Sequence, residues 1–223
     1  MEFIFMLTHD DRTVDNAMEV YDQIRDTPLR LIGFKDVGAT KGRLKELTEA
    51  MHDDRREVFL EVVSTSRDDE LRSIEAALEV GVDYLLGGTH YDDALSLIDG
   101  SEMRYFPFPG TVVGHPSRLE GSKIEIADHA RELVSKPGVY GLDLLAYRHP
   151  TVDPPELTRA VIDASRRPVI AAGSVDREQR IRDLAGAGAW AFTIGGAIFE
   201  GVLPGAPSIA AQIEWAMEVA ESP

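Results

Sequence analysis

Eight times along this chain of 223 residues, a short apolar run rich in β-formers gives way to a stretch with apolar residues at helical spacing. The strand candidates are FIFMLT (3–8), LRLIGF (29–34), EVFLEVV (57–63) and DYLLGG (83–88), then MRYFPF (103–108), VYGLDLL (139–145), PVIAA (168–172) and WAFTIG (190–195). A helix between two strands returns the chain to the same end of the sheet, so such an alternation demands parallel pairing. Eight units in this length favour an α/β fold of the (β/α)8 TIM-barrel kind over an open doubly wound sheet. No G-x-G-x-x-G follows the first strand, which removes the main support for the open sheet. With no Pro/Gly/Ser-rich linker, residues 1–223 read as a single TM-free TIM-barrel domain.

Helix starts are marked chemically. Ser122 and Glu125 have capping-box spacing, Asp153-Pro-Pro-Glu156 adds proline at the first helical position, and Asp176 with Gln179 predicts a third start. One connection, PGTVVGHPSRLEGS (109–122), is longer than the rest. It follows the fifth strand, at the barrel face that carries active sites, and reads as a binding loop or lid. LEVGVDYLLGGTH (78–90) and LAGAGAWAFTIGGAI (184–198) resemble one another, as they would if strands four and eight belonged to two related halves.

The net charge of −16 opposes nucleic-acid binding, which needs clustered cations. No apolar run reaches membrane-spanning length, and MEFIFMLTHDD lacks a basic leader, so a cytoplasmic location is expected. The absence of cysteine excludes disulfides, thiolate metal sites and thiol nucleophiles. Only five of the 23 basic residues are lysines, so each lysine carries information.

Strand seven runs into Gly173 and Ser174, and strand eight into Gly195 and Gly196, ahead of a short extra helix. In barrels, these two loops and that helix form a phosphate site, because glycine lets backbone N–H groups approach the oxygens. PVIAAGSVD…AGAWAFTIGGAIF resembles the ribulose-phosphate-binding barrels, a superfamily of isomerases, epimerases, aldolases and decarboxylases. The resemblance is specific over about 166–200 and architectural elsewhere. It departs at Ser174, where a second glycine is common, and at Trp190, where an acid often sits. It implies a small phosphorylated substrate. Gly87 and Gly88, with Ser64 and Thr65, form a candidate second anion site, as in relatives that bind bisphosphates.

Two charges, Glu61 and Asp143, interrupt strands that are otherwise apolar, and Lys35 stands beside Asp36 just where strand two ends. A buried charge is costly unless paired, so these three are expected to meet inside the barrel and to carry the catalysis. His9, Asp10, His90 and Arg148 at strand ends, and His115 and Arg118 on the long loop, are the candidate substrate-binding residues. His52 and His129 read as surface residues. No metal motif is present and no cofactor is expected, although Asp10, Glu61, Asp143 and His90 could in principle converge on a divalent ion.

The leading expectation is an enzyme acting on a small phosphorylated sugar or keto compound. A carboxylate, Glu61 or Asp143, removes a proton beside a carbonyl while Lys35 stabilises the enediolate oxygen. Isomerase, epimerase and aldolase- or decarboxylase-type lyase all remain open. Alternatives are a class I aldolase with a Schiff base at Lys35, and a non-catalytic barrel that only binds a phosphorylated ligand. The expected partner is the substrate, with neither nucleic acid nor membrane, and a homo-oligomer is left open.

Overall fold

A computed structural model describes residues 1–64, 66–205 and 208–222. The barrel strands are β1 (Glu2–Met6), β2 (Leu31–Lys35), β3 (Glu57–Val62), β4 (Tyr84–Gly87), β5 (Arg104–Phe106), β6 (Leu142–Leu144), β7 (Val169–Ala171) and β8 (Ala191–Ile194). The helices are α1 (Ala17–Ile24), α2 (Lys41–Asp53), α3 (Arg67–Val80), α4 (Tyr91–Ile98) and α5 (Lys123–Ser135), then α6 (Pro154–Ser165), α7 (Glu178–Ala187), the one-turn α8 (Gly196–Phe199) and α9 (Ile209–Glu221). All eight strands are parallel, in the order β6-β7-β8-β1-β2-β3-β4-β5. The remaining seam joins β5 to the approach of β6 through a Tyr105–Val139 bridge and bonds from the N–H groups of Tyr140 to Tyr105 and of Asp143 to Pro107. The molecule is a TIM barrel. Among the described residues, no helix is long and apolar enough to cross a membrane.

Alternation along each strand sends one set of side chains inward and the other toward the helices. Inward, Ile4, Met6, Leu31, Phe59, Tyr84, Leu86, Phe106, Ile170 and Ala191 form one cluster, closed at the end where strands begin by Trp190 stacked on Phe106. Outward, Phe3, Phe5, Ile32, Phe34, Val58 and Leu60 pack in the layer beneath the helices. The same parity places Lys35, Glu61, Asp143 and Thr193 inward, all buried. The apolar filling therefore stops one layer short of the mouth, and that layer is polar.

Two short antiparallel hairpins were not legible in the strand pattern: Thr8–His9 with Arg12–Thr13, and Thr111–Val113 with Arg118–Glu120. The second occupies the long loop. Ser122 and Glu125 form the expected capping box, and Asp153 caps α6. Asp176 does not cap α7: Arg177 stands at the cap with no side-chain bond, and the Asp176 carboxylate pairs with Arg177 and Arg180 instead.

The seam yields a prediction. A Cβ on Gly141 would overlap both the Phe106 ring and the Pro168 carbonyl oxygen. Gly141→Ala should cost about 1–3 kcal/mol, the usual penalty for overpacking, measured as a lowered denaturation midpoint. Gly186→Ala, which meets open space, should leave it unchanged or raised.

Candidate active site

After β1 the chain makes a two-residue turn at Asp10 and Asp11, both with positive φ (48° and 57°). That is the geometry of the turn that matches hairpin twist, and aspartate tolerates it better than most residues. It sends the two neighbours opposite ways: the Asp10 side chain is 84% exposed, that of Asp11 only 4%. Thr13, on the return strand, ties the hairpin to β2 by donating its hydroxyl to the Lys35 carbonyl and accepting the Lys35 N–H.

Asp11 is the hub of the mouth. Lys35 Nζ donates to its Oδ1 at 2.6 Å, while Arg148 grips both oxygens, Nη1 to Oδ2 at 2.6 Å and Nη2 to Oδ1 at 2.8 Å. The Ser117 N–H, from the long loop, adds a bond to Oδ2 at 3.2 Å. On its other side Lys35 Nζ lies 3.3 Å from Glu61 Oε2; the two residues are register partners on β2 and β3. Burial alone would raise the Asp11 pKa, but the Arg148 bonds and the charges of Lys35 and Arg148 bring it well below the usual carboxylate range. Arg148 is correspondingly held charged: burial works against its charge, and Asp11 more than compensates.

Asp143 comes inward on β6, fully buried, with neither carboxylate oxygen hydrogen-bonded. Burial first, then the negative charge of Glu61, raises its pKa well above the ordinary value, against the pull of Lys35 and Arg148. That shift favours the protonated form of Asp143, in which two cations (Lys35, Arg148) face two anions (Asp11, Glu61). Such balance is what a buried cluster requires.

A cavity of about 580 Å³ opens above this cluster, lined by Asp11, Lys35, Glu61, Arg148 and the loops after β7 and β8. Gly173 has φ 78°, and a Cβ there would overlap the Arg148 guanidinium; Ser174 follows at φ 58°. A Cβ on Gly195 would come within 2.6 Å of the Thr8 carbonyl oxygen. On Gly196 it would meet nothing closer than 3.9 Å. Gly195 thus serves close packing, whereas Gly196 leaves room at the cavity wall. Arg180 reaches the Ser174 carbonyl from α7.

The sequence-predicted residues sort as follows. Lys35, Glu61, Arg148, Arg118, Asp10, Gly173, Ser174, Gly195 and Gly196 line the cavity, while Asp143 lies beneath its floor. His9 stands at the edge, within 3.4 Å of both Asp10 and Glu200. His115 belongs to a different cavity, between the first hairpin and helices α2 and α3. His90 is turned away from the mouth, its Nδ1 2.7 Å from Glu70 Oε2. Glu70, on α3 and fully buried, also accepts the N–H groups of Thr89 and His90, both at 2.9 Å. The candidate second anion site at Gly87 and Gly88 is corrected accordingly: its neighbouring amides are taken by the chain's own carboxylate. Ser64 donates to Asp36 at 2.5 Å, and Thr65 lies outside the described residues. Asp10, Glu61, Asp143 and His90 do not converge, and the described residues contain no group of three metal-ligating side chains. His129 is not a free surface residue, since its Nδ1 accepts the Gly110 N–H; His52 pairs with Asp83 at the surface. Sequence reasoning missed Asp11, Ser117 and Glu70.

No family model and no curated protein matches the chain. Among solved structures it is similar to the native KDPGal structure, at 15% identity and TM-score 0.66, over 100% of this chain and 97% of that one. It is similar to orotidine 5'-phosphate decarboxylase from Pyrococcus horikoshii OT3 at 13% identity and TM-score 0.69, covering 99% and 100%. N-acetylmannosamine-6-phosphate 2-epimerase from Clostridium perfringens matches at 12% identity and TM-score 0.63, covering 88% and 86%. The likeness is one of fold. It is the barrel fold that is shared, over the whole chain or nearly so.

The two buried aspartates should respond to pH with opposite sign. The Asp11 pKa is depressed on folding, so its stabilisation is complete above the unfolded value near 3.8 and is lost as pH falls toward the folded value. Asp11→Asn should therefore cost about 3–5 kcal/mol at pH 7, as expected for breaking a buried pair, and progressively less below about pH 4. The Asp143 pKa is raised, so the wild type loses stability as pH climbs above that same unfolded value. Asp143→Asn should gain in melting temperature relative to wild type between pH 3 and pH 7. A flat difference for both variants would contradict the charge assignment.

Proposed function

We propose that this protein is an enzyme acting on a small phosphorylated sugar or keto compound through an enediolate. One observation carries the reading: an ammonium flanked by two carboxylates, Asp11–Lys35–Glu61, forms the floor of a cavity whose opposite wall is the pair of glycine loops after β7 and β8. The phosphate would lie against the backbone at Ser174, Gly195 and Gly196, with Arg148 between it and the floor. Two of the similar structures carry a phosphorylated compound in their names, which supports the same reading.

Glu61, the carboxylate on the cavity wall, takes the proton beside the substrate carbonyl, and Lys35 donates to the oxygen on which charge develops. Asp11 and Arg148 hold the ammonium in place. Asp143 acts through Glu61 and Lys35 as a positioning residue: by staying neutral it keeps the cluster balanced. Return of the proton to a neighbouring carbon gives an isomerase or epimerase. In a lyase the base instead takes the proton of the hydroxyl on the departing carbon, the C–C bond breaks, and its electron pair forms the same enediolate. A Schiff base at Lys35 would require its nitrogen to leave both carboxylates, which favours the electrostatic role over the class I aldolase reading.

The first experiment is a thermal-shift screen of sugar phosphates, since a ligand that binds only the folded state raises the melting temperature. Gly196→Val should abolish the shift from phosphorylated ligands and leave the unliganded melting temperature nearly unchanged, because a Cβ there makes only ordinary contacts, 3.9 Å from Glu200 and His9. With a substrate in hand, Lys35→Met should lower turnover by about 10²–10³-fold, the usual loss for one oxyanion donor. Borohydride with substrate should trap nothing on Lys35. A trapped adduct would return the Schiff-base reading, full turnover in the Met variant would return Lys35 to a structural role, and ligand binding without turnover in the wild type would leave a binding protein.

A further inference from the structure

The chain carries the strand–glycine–helix joint twice, after β4 and after β8, and the two copies are occupied differently. Helices α3 and α7 both end on a left-handed glycine, Gly81 and Gly188. Counting back equally from those caps, Glu70 of α3 corresponds to Arg177 at the start of α7. In the first half the Glu70 carboxylate, with no exposed surface, accepts the N–H groups of Thr89 and His90, the Thr89 hydroxyl at 3.3 Å and His90 Nδ1. Gly88 makes the room: a Cβ there would lie 2.6 Å from Glu70 Oε1. In the second half the matching residue is an arginine paired with Asp176.

Beside the Glu70 joint is a second cavity, of about 260 Å³, reached past Ser117, which lines both cavities. Its walls include Val62, Val63, Phe108, Val112 and Val113. With a buried carboxylate behind one wall, and valines, Phe108 and the hydroxyls of Ser64, Thr89 and Ser117 on the others, the cavity offers no cation to a second anion.

We infer that Glu70 is an internal anion occupying the pseudo-symmetric counterpart of the phosphate site, so that the substrate carries one phosphate and its far end, directed past Ser117 into the Val-lined cavity, is uncharged. The inference rests on the proposed function, of which it specifies the substrate class. A second phosphate finds no anion site in the other half of the mouth and adds nothing to binding.

The test is a titration of inorganic phosphate into the ¹⁵N-labelled chain, read as amide shifts. In wild type, Ser174, Gly195 and Gly196 should move, and Thr89 and His90 should not. In Glu70→Ala, which vacates the first joint, Thr89 and His90 should move as well. Wild-type shifts at Thr89 and His90 overturn this inference and leave the proposed function standing. Silence at both joints in wild type overturns the proposed function and the inference with it. A folded Glu70→Ala chain that stays silent at Thr89 and His90 overturns the claim that Glu70 stands in for a ligand. Should that variant fail to fold, wild type decides alone through a second measurement, the affinities of ribulose 5-phosphate and ribulose 1,5-bisphosphate. Affinities within about threefold, or a weaker bisphosphate, agree with the inference; a bisphosphate bound about tenfold tighter or more overturns it.

Discussion

The mouth of this barrel is organised around one carboxylate. Asp11 sits in a left-handed turn and joins three segments far apart in sequence: Lys35 at the end of β2, Ser117 in the long loop and Arg148 after β6. An unpaired charge at that depth would cost several kcal/mol. Each partner is therefore needed by the others, and the geometry of the group is over-determined. Lys35 cannot swing away from Glu61 without deserting Asp11, and Arg148 cannot leave the Gly173 loop without uncovering Asp11. The cost of this rigidity falls on Asp143, whose two buried carboxylate oxygens have no hydrogen-bond partner, so that burial favours its protonated form.

That arrangement explains why the apolar filling of the barrel ends where it does. Phe59, Tyr84, Phe106 and Trp190 stack across the end where strands begin and leave no space there. One inward step toward the mouth, β2 and β3 present Lys35 and Glu61 as register partners. Aromatic packing is concentrated at one end of the barrel and the charged cluster at the other, the end at which barrels generally carry their active sites. The two glycine joints fall on the charged end; the Glu70 carboxylate bonds the amides of the first, whereas Glu200 and His9 stand 3.9 Å from a Cβ on Gly196 in the second, which makes the mouth asymmetric.

The fold was legible because eight apolar runs and their helical spacers survive as a pattern; Glu61 was legible as a charge inside such a run, and Lys35 as a charge at the end of one. Asp11 was not. THDDRT offers two adjacent acids, and only the turn conformation decides which one points inward; Asp10, the one singled out, is in solvent. Glu70 was hidden for a different reason: in DDELRSIEAALEV it reads as one more acid on a solvated helix face, and its burial depends on Gly88 and His90 from another unit. Asp176 showed the limit of local signals, since two nearby arginines outcompeted the backbone N–H groups for its carboxylate. Residues whose role is set by a distant partner leave little trace in their own neighbourhood.

The most direct test of the account is a crystal structure of the chain with a phosphorylated ketose. The phosphate should lie against the backbone of Ser174, Gly195 and Gly196, with the ketose carbonyl oxygen within hydrogen-bond distance of Lys35 Nζ and the Asp11–Arg148 pair intact. A phosphate bound elsewhere, or a carbonyl directed away from Lys35, would contradict it.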